Sequence, residues 1–292
     1  MKYHVLYNPL AGNGRCEGRL EQLIATLEGE CILHRMTEIG SYAEYLSKVG
    51  AEERIILVGG DGTLNRFIND LGDIELKNEV LYYAAGSGND FLKDVKGEDG
   101  DEAFSITKYI KNLPSVTVNG KTFRFLNGVG YGIDGYCCEE GDKIRERSDK
   151  PVNYTAIAIK GLLFGFKRPN ARVTVDGKTF EYKKVWLAPT MNGRYYGGGM
   201  NMAPKQDRLN PDGTLSCVVL YGAGKLKTLT VFPSIFKGEH LSHNEMVTVH
   251  TGREITVAFD RPTALQIDGE TILGVTEYTA RAGVTAALPM AD

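Results

Sequence analysis

The stretch from Arg54 to Asn65 carries the densest chemical signal in the chain. Ile55-Ile56-Leu57-Val58 is a continuous, β-branched-rich run, as expected of a strand buried on both faces. It ends in Gly59-Gly60-Asp61-Gly62-Thr63, where a helix begins. Glycines remove side-chain bulk and permit positive φ, so backbone N–H groups can converge at the mouth of the helix as an anion site. Asp61 would repel a phosphate bound there alone. It becomes compatible with one if Mg²⁺, a hard cation that takes oxygen ligands, lies between carboxylate and phosphate. The same residues also suit a tight strand–helix turn with Asp61 as N-cap. Two further strand ends share this character: Tyr7 leads into Asn8, Pro9, Leu10, Ala11, Gly12, Asn13 and Gly14, and Ala85 leads into Gly86-Ser87-Gly88-Asn89-Asp90. In an open parallel sheet, ligands bind outside the carboxyl ends of the strands, so the three loops are expected to line one crevice.

Those loops need a parallel sheet to align them, and the first part of the chain reads as one. Strands are expected at Tyr3–Tyr7, Ile32–Arg35, Ile55–Val58 and Val80–Ala84. Helices are expected at Glu17–Leu27, Ser41–Val49 and Leu64–Leu71, and this alternation implies βαβ units. Beyond that the texture changes. Val116–Phe125 and Val173–Tyr182 are near copies, each with an Asn-Gly or Asp-Gly pair between alternating runs, which is the signal of a two-residue hairpin. Further strands are expected at Lys184–Pro189, Leu215–Leu220, Met246–His250, Glu254–Phe259, Ala264–Ile267 and Thr285–Leu288, with helices near Val152–Phe166 and Leu226–Phe236. The expected fold is therefore an N-terminal α/β domain, residues 1–118, followed by a C-terminal, mostly antiparallel β domain, residues 119–292.

Composition narrows the class. The 292 residues include 35 Gly, about 12% against a usual 7%, with no collagen-like period. Net charge is −3, which argues against a dedicated nucleic-acid binder. No stretch free of charged residues exceeds 12 residues, short of a spanning helix, and Met1–Tyr7 lacks the apolar core of a signal peptide. The five cysteines show no CxxC spacing and read as reduced thiols in a cytoplasmic protein. The pattern GxxxxGK[ST] is absent. Gly130-Tyr131-Gly132-Ile133-Asp134-Gly135 fits GxGxxG, but it lies past the domain border with no suitable acidic strand end after it.

Taken together, Asn8-Pro9 with Gly12, Gly59–Asn65, Gly86–Phe91, Gly197–Met200 with Ala203-Pro204, Pro211–Leu215 and Asp268-Gly269-Glu270 resemble the diacylglycerol kinase and sphingosine kinase catalytic-domain family, above all its soluble bacterial lipid kinases. The motifs occur in the family's order over nearly the whole chain. The resemblance implies a phosphofructokinase/NAD-kinase-like N-terminal domain, a C-terminal β-sandwich and a catalytic cleft between them. It implies transfer of the ATP γ-phosphate to a lipid hydroxyl, with diacylglycerol giving phosphatidic acid. It carries nucleotide contacts to Asn8, Pro9, Leu10, Ala11, Gly12, Thr37, Gly60, Gly62, Thr63, Leu64, Asn65, Arg66 and Ser87. Asp61 would hold the catalytic Mg²⁺, Asp90 would assist through water, and Glu270 would be the general base. A second, structural Mg²⁺ would sit on the Asp212 carboxylate and the carbonyls of Leu209 and Thr214. The implied partners are ATP and a lipid at the membrane surface, with no nucleic acid; peripheral contact with the inner membrane face and a homodimer are left open.

The chemistry is consistent with these roles. Phosphoryl transfer needs positioning and charge neutralisation more than covalent catalysis. An alcohol acceptor must lose its proton, and a carboxylate after an Asp-Gly turn can be aimed at it, although an exposed hairpin residue would read the same way. Three positions depart from the family pattern: Arg66 replaces an acidic residue, Ser87 replaces the commoner Thr, and Thr117 stands near an expected Asp. Kinases of other lipid alcohols or of soluble acceptors, and a catalytically weak nucleotide-binding regulator, therefore remain alternatives. Val152–Phe166 could line an acyl channel, dock on a bilayer or pack in the core, and Arg15 and Arg19 could meet headgroups.

Overall fold

In a computed structural model, which describes residues 1–9, 11, 16–86, 88–97, 101–148 and 152–283, the chain divides into two compact units, Met1–Lys111 and Asn112–Asp292. The first unit contains β1 (Lys2–Tyr7), α1 (Cys16–Thr26), β2 (Glu30–Arg35), α2 (Tyr42–Leu46), β3 (Arg54–Gly59), α3 (Asp61–Leu71), β4 (Val80–Ala84), α4 (Asp90–Lys96), β5 (Phe104–Ser105) and α5 (Thr107–Ile110). The sheet order is β2-β1-β3-β4-β5. Its first four strands are parallel and β5 runs antiparallel to β4. Val5, Leu6 and Ile55 to Val58 are fully buried, as a strand covered on both faces requires. Leu64, Phe67, Ile68 and Leu71 form the buried stripe of α3 at the i, i+3, i+4, i+7 spacing. The direction of winding reverses between β1 and β3, and such a switch point opens a crevice at the carboxyl ends of those two strands.

The second unit contains β6 (Ser115–Val118), β7 (Lys121–Arg124), β8 (Gly128–Tyr131), α6 (Ile133–Arg145), α7 (Tyr154–Lys160), β9 (Ala171–Val175), β10 (Lys178–Tyr182), β11 (Val185–Leu187), β12 (Thr190–Met191), β13 (Tyr195–Tyr196) and β14 (Met200–Asn201). It continues with β15 (Leu215–Tyr221), α8 (Lys225–Val231), β16 (Val247–Gly252), β17 (Glu254–Ile267) and β18 (Glu270–Arg281). Eleven antiparallel strands run β11-β15-β12-β8-β17-β18-β6-β7, with β16 beside β15 and β10-β9 beside β17. Val116, Tyr131, Val173, Cys217, Val257, Leu265 and Tyr278, from six of these strands, share one buried core, so the sheet folds over on itself as a sandwich.

Several expectations need revising. The units part at Lys111/Asn112 rather than after Val118, because β6 pairs with β18 and β7 in the antiparallel sheet. The strands expected at Glu254–Phe259 and Ala264–Ile267 are one strand, β17, whose register shifts between Ala258 and Leu265; its first half pairs with β9 and its last residues with β8. The helix expected over Val152–Phe166 is α7 followed by a π turn, Gly161–Gly165, and the one near Leu226–Phe236 is α8 followed by a 3₁₀ turn. Helices α4 and α6 and strand β18 were not anticipated at all. Thr285–Leu288 lies outside the described residues. Both hairpin pairs do take positive φ at each turn residue, 50° and 75° at Asn119-Gly120 and 45° and 83° at Asp176-Gly177.

Candidate active site

The carboxyl ends of β1, β3 and β4 meet. Asn8 N–H donates to Val58 O at 3.4 Å, Ala85 N–H to Gly59 O at 2.7 Å, Gly86 N–H to Gly59 O at 3.1 Å, and Asp61 N–H to Gly88 O at 3.3 Å. The loops after β3 and β4 lie against each other without side chains between them. A Cβ on Gly86 would stand 2.3 Å from Gly60 Cα, and one on Gly59 would stand 2.1 Å from Thr63 Oγ1. These glycines therefore serve close approach, not the positive φ expected of them: none of Gly59, Gly60, Gly62, Gly86 and Gly88 has positive φ. Gly62, on the first turn of α3, is different again, for a Cβ there would meet nothing within 4 Å.

Asp61 is the first residue of α3, behind an N-cap Gly60 that makes no side-chain cap. Its carboxylate does not cap its own helix. It crosses to the next loop, where Asp90 N–H donates to Oδ2 at 2.7 Å and Phe91 N–H to Oδ1 at 3.1 Å, capping α4. A carboxylate offers about four lone-pair sites, and these two N–H groups take one on each oxygen. Asp90 itself is buried at the start of α4. Thr63, Leu64 and Asn65 are buried, and Asn65 O accepts from Asn69 Nδ2 at 3.0 Å. Arg66 is exposed and pairs with Asp70 at 3.2 Å along the helix. Asn8, Pro9 and Ala11 are half-buried beyond β1, and Thr37 is exposed just beyond β2, at the same edge. Leu10, Gly12, Arg15 and Ser87 lie outside the described residues. Arg19 is committed elsewhere, to Asp101 at 2.7 Å, to Ala84 O at 3.0 Å and over the Tyr83 ring.

In the second unit, Glu270 is exposed at the first position of β18, one residue past the Asp268-Gly269 turn. That turn is held firmly. The Asp268 carboxylate accepts from the N–H groups of Leu126, Asn127 and Gly128 at 2.5, 2.8 and 3.0 Å, and Gln266 Oε1 accepts from Gly269 N–H at 2.7 Å. Residues 130–135 form a strand–helix junction, but its glycines pack instead of opening a ligand loop. A Cβ at Gly132 or Gly135 would run into the backbone of Trp186 or Ala264. Asp134 was missed as a residue of interest. It is buried, its carboxylate takes the Tyr196 hydroxyl at 2.9 Å, and burial pushes its pKa up to about 6. A charged residue between apolar neighbours after a strand was the available signal. Thr117, on β6, pairs with Thr122 across the hairpin at 2.9 Å.

Two metal sites are expected from the resemblance. Mg²⁺ is held through one or two carboxylates plus substrate phosphates and waters, and Asp61 with Asp90 nearby suits that pattern. At the expected structural site, polar side chains gather on the Thr214 carbonyl. Thr214 N–H donates to Asn210 Oδ1 at 2.9 Å, which fixes the amide orientation. Asn210 Nδ2 and Gln206 Nε2 then both donate to Thr214 O, at 3.0 and 2.9 Å. The Thr214 carbonyl thus accepts two N–H donors, and the Arg253 guanidinium donates to the Asp212 backbone carbonyl at 2.9 Å. Among the described residues no group of three His, Cys, Asp or Glu side chains could hold a metal.

Residues 2–117 match the diacylglycerol kinase catalytic domain, and residues 127–287 match the YegS C-terminal NAD kinase beta sandwich-like domain. The chain belongs to the diacylglycerol kinase catalytic-domain family. Membership of this kinase family makes it a phosphotransferase. Among relatives of the family, YtlR of Bacillus subtilis (strain 168), whose name marks it provisionally as a lipid kinase, is 26% identical over 300 residues, 94% of each chain. A diacylglycerol kinase of Mycobacterium tuberculosis (strain CDC 1551 / Oshkosh) is 25% identical over 89% of this chain and 85% of its own. The crystal structure of a diacylglycerol kinase from Bacillus anthracis superposes with a TM-score of 0.62 at 21% identity, covering 97% of this chain and 94% of that one, which speaks for the fold alone. Among the described residues no helix of this family member is long and apolar enough to cross a membrane.

Proposed function

We propose that the chain is a Mg²⁺- and ATP-dependent lipid kinase that transfers the γ-phosphate to a lipid hydroxyl, diacylglycerol first among acceptors. The observation that carries this reading is the Asp61 carboxylate, fixed by two N–H groups of α4 where the β3 and β4 loops interlock. A charge held that rigidly beside a helix N-terminus suits a bound metal–phosphate pair. Asn8 to Gly12, Thr37, Gly60 to Arg66 and Ser87 contact the nucleotide, with the Gly62 N–H in the first turn of α3 turned to phosphate. Asp61 holds Mg²⁺ and Asp90 supports it through water; the bound ion would neutralise charge on the phosphates. Glu270 takes the proton of the acceptor hydroxyl, a contribution of about 10²- to 10⁴-fold. Diacylglycerol is favoured because relatives spanning most of the chain bear that name.

The test is transfer of labelled γ-phosphate to a panel of lipids in mixed micelles, using Asp61→Asn and Glu270→Gln with their folding checked by circular dichroism. Both variants should lose activity by two orders of magnitude or more. Near wild-type turnover by Glu270→Gln would remove the general-base role. Phosphorylation of a water-soluble acceptor with no lipid product would remove the lipid reading.

A further inference from the structure

We infer that Asp142 is a positioning residue for Glu270, acting through Thr271, on the reading that Glu270 is the general base. The register of the β17–β18 hairpin sets Gln266 opposite Thr271 and Ile267 opposite Glu270. Successive residues of a strand face opposite sides, so Gln266 and Thr271 share one face and Glu270 lies on the other. Helix α6 packs against the shared face. A Cβ at Gly135, in its first turn, would stand 2.0 Å from Ala264 O, so helix and strand meet closely there. Gln266 Nε2 and Asp134 Oδ2 crowd the same point, 2.4 and 2.3 Å from where a Cβ of Gly130 would be. About two turns further along α6, Thr271 Oγ1 donates to Asp142 Oδ2 at 2.6 Å, the short distance of a hydroxyl bonded to a carboxylate. Arg145 Nη1 donates to Asp142 Oδ1 at 2.6 Å and Arg145 Nη2 to the Tyr154 hydroxyl, which fixes the carboxylate's orientation.

Glu270 thus stands between two tied neighbours. Gln266 Oε1 takes the Gly269 N–H at 2.7 Å on one side, and Asp142 takes the Thr271 hydroxyl on the other. The second tie matters because the strand ladder is weakest here. Strand β6 pairs with β18 over Tyr278 to Arg281, so the start of β18 rests on β17, and that pairing shifts register between Thr263 and Leu265. A hairpin tip beyond a register shift is free to pivot unless another element holds it, and Asp142 supplies that hold from α6. A general base must lie within hydrogen-bond reach of the proton it takes, and a displacement of about 1 Å can cost on the order of 10²-fold in rate.

Steady-state transfer of labelled γ-phosphate to dispersed short-chain diacylglycerol by the full chain, paired with amide hydrogen exchange over residues 269–272, tests the assignment. Thr271→Val keeps the branched shape and removes the hydroxyl; Asp142→Ala removes its acceptor. Each should lower kcat about ten-fold or more with KM for ATP unchanged, and the two together should cost no more than either alone. Thr271→Ser should restore the rate. In a Glu270→Gln background Thr271→Val should cost nothing further, since the tie acts through a base that is no longer there. Exchange over residues 269–272 should quicken in both single variants. Wild-type kcat in either single variant, losses that add, or an equal loss in the Glu270→Gln background would overturn the inference, the last by assigning Thr271 to structure alone. Unchanged exchange in both single variants would overturn it whether or not the chain transfers phosphate. Quickened exchange in a chain that phosphorylates no acceptor would refute the kinase reading, and it would overturn the positioning role by leaving Asp142 a structural tie only.

Discussion

Gly62→Ala separates nucleotide binding from folding more cleanly than any substitution of a charged residue. The new methyl enters open space on the first turn of α3, at a residue without positive φ. Nothing in the fold therefore resists it, and replacing Gly by Ala in a helix should stabilise the N-terminal unit by up to about 0.5–1 kcal/mol. In a domain of this size that raises the melting midpoint by a few degrees, roughly 4 °C at most. If phosphate docks against the Gly62 N–H, the methyl stands in its way. Losing one hydrogen bond to a charged group costs about 1.5–3 kcal/mol, or roughly one to two decades in Kd. Gly86→Ala supplies the opposite sign. Its Cβ would lie 2.3 Å from Gly60 Cα and 2.8 Å from Gly60 N, backbone atoms that cannot swing aside, so overpacking should destabilise the unit by about 1–3 kcal/mol. Calorimetric titration with a non-hydrolysable ATP analogue, paired with thermal melts, reads both effects. Wild-type affinity in Gly62→Ala, or a lowered melting midpoint, would refute the placement of phosphate at α3.

Asp134 predicts a pH dependence in the second unit. Burial raises its pKa from 3.8 to about 6, so between about pH 4 and 6 the folded chain holds a proton that the unfolded chain releases. Stability then falls as pH rises through that window. Asp134→Asn keeps an acceptor for the Tyr196 hydroxyl, should flatten the slope, and should raise stability at pH 7 by roughly 3 kcal/mol at most; denaturant melts across pH 4–7 check this, and an unchanged slope would reject it. For the Asp207–Thr214 loop, the amide donors on Thr214 O predict that EDTA leaves the melting of the second unit unchanged without nucleotide. A Mg²⁺-dependent rise abolished in Asp212→Asn would reverse that conclusion.

Much of the fold was legible because the buried strands are locally unambiguous. Ile55–Val58 and Val80–Ala84 are apolar runs that nothing but a covered parallel strand accommodates, and the two Asn-Gly and Asp-Gly pairs admit little besides a tight hairpin. What escaped depends on distant partners. Helix α6 carries Gly135 and Gly141 within a polar sequence, and each glycine is explained by what presses on it: Ala264 O on the first, the Tyr154 ring on the second. Strand β18 is exposed at half its positions and takes positive φ at Gly274, 69°, so its apolar alternation is too weak to register. At the site, residue types pointed to the right loops, yet the principal contact of Asp61 spans 29 residues to an unanticipated helix. No spacing rule reaches that far.

Glycine surplus has two separate physical origins in this chain, and the difference bears on catalysis. In the second unit, Gly120, Gly177 and Gly269 sit at positive φ and close hairpins. In the first, Gly59, Gly60 and Gly86 have ordinary backbone angles and are small because another loop, or Thr63, occupies the space of their side chains. Loops locked backbone to backbone, with one carboxylate clamped across them, have little freedom to reorganise when charge moves. Phosphoryl transfer depends on such fixed dipoles more than on any single reactive side chain. It follows that the peripheral departures, Arg66 on an exposed helix face and Thr117 in a hairpin pair, should tune affinity and efficiency. Loss of the site would require changes at Gly60, Asp61 or Gly86, where neither a larger side chain at the glycines nor a longer acid at Asp61 can keep the loops in register.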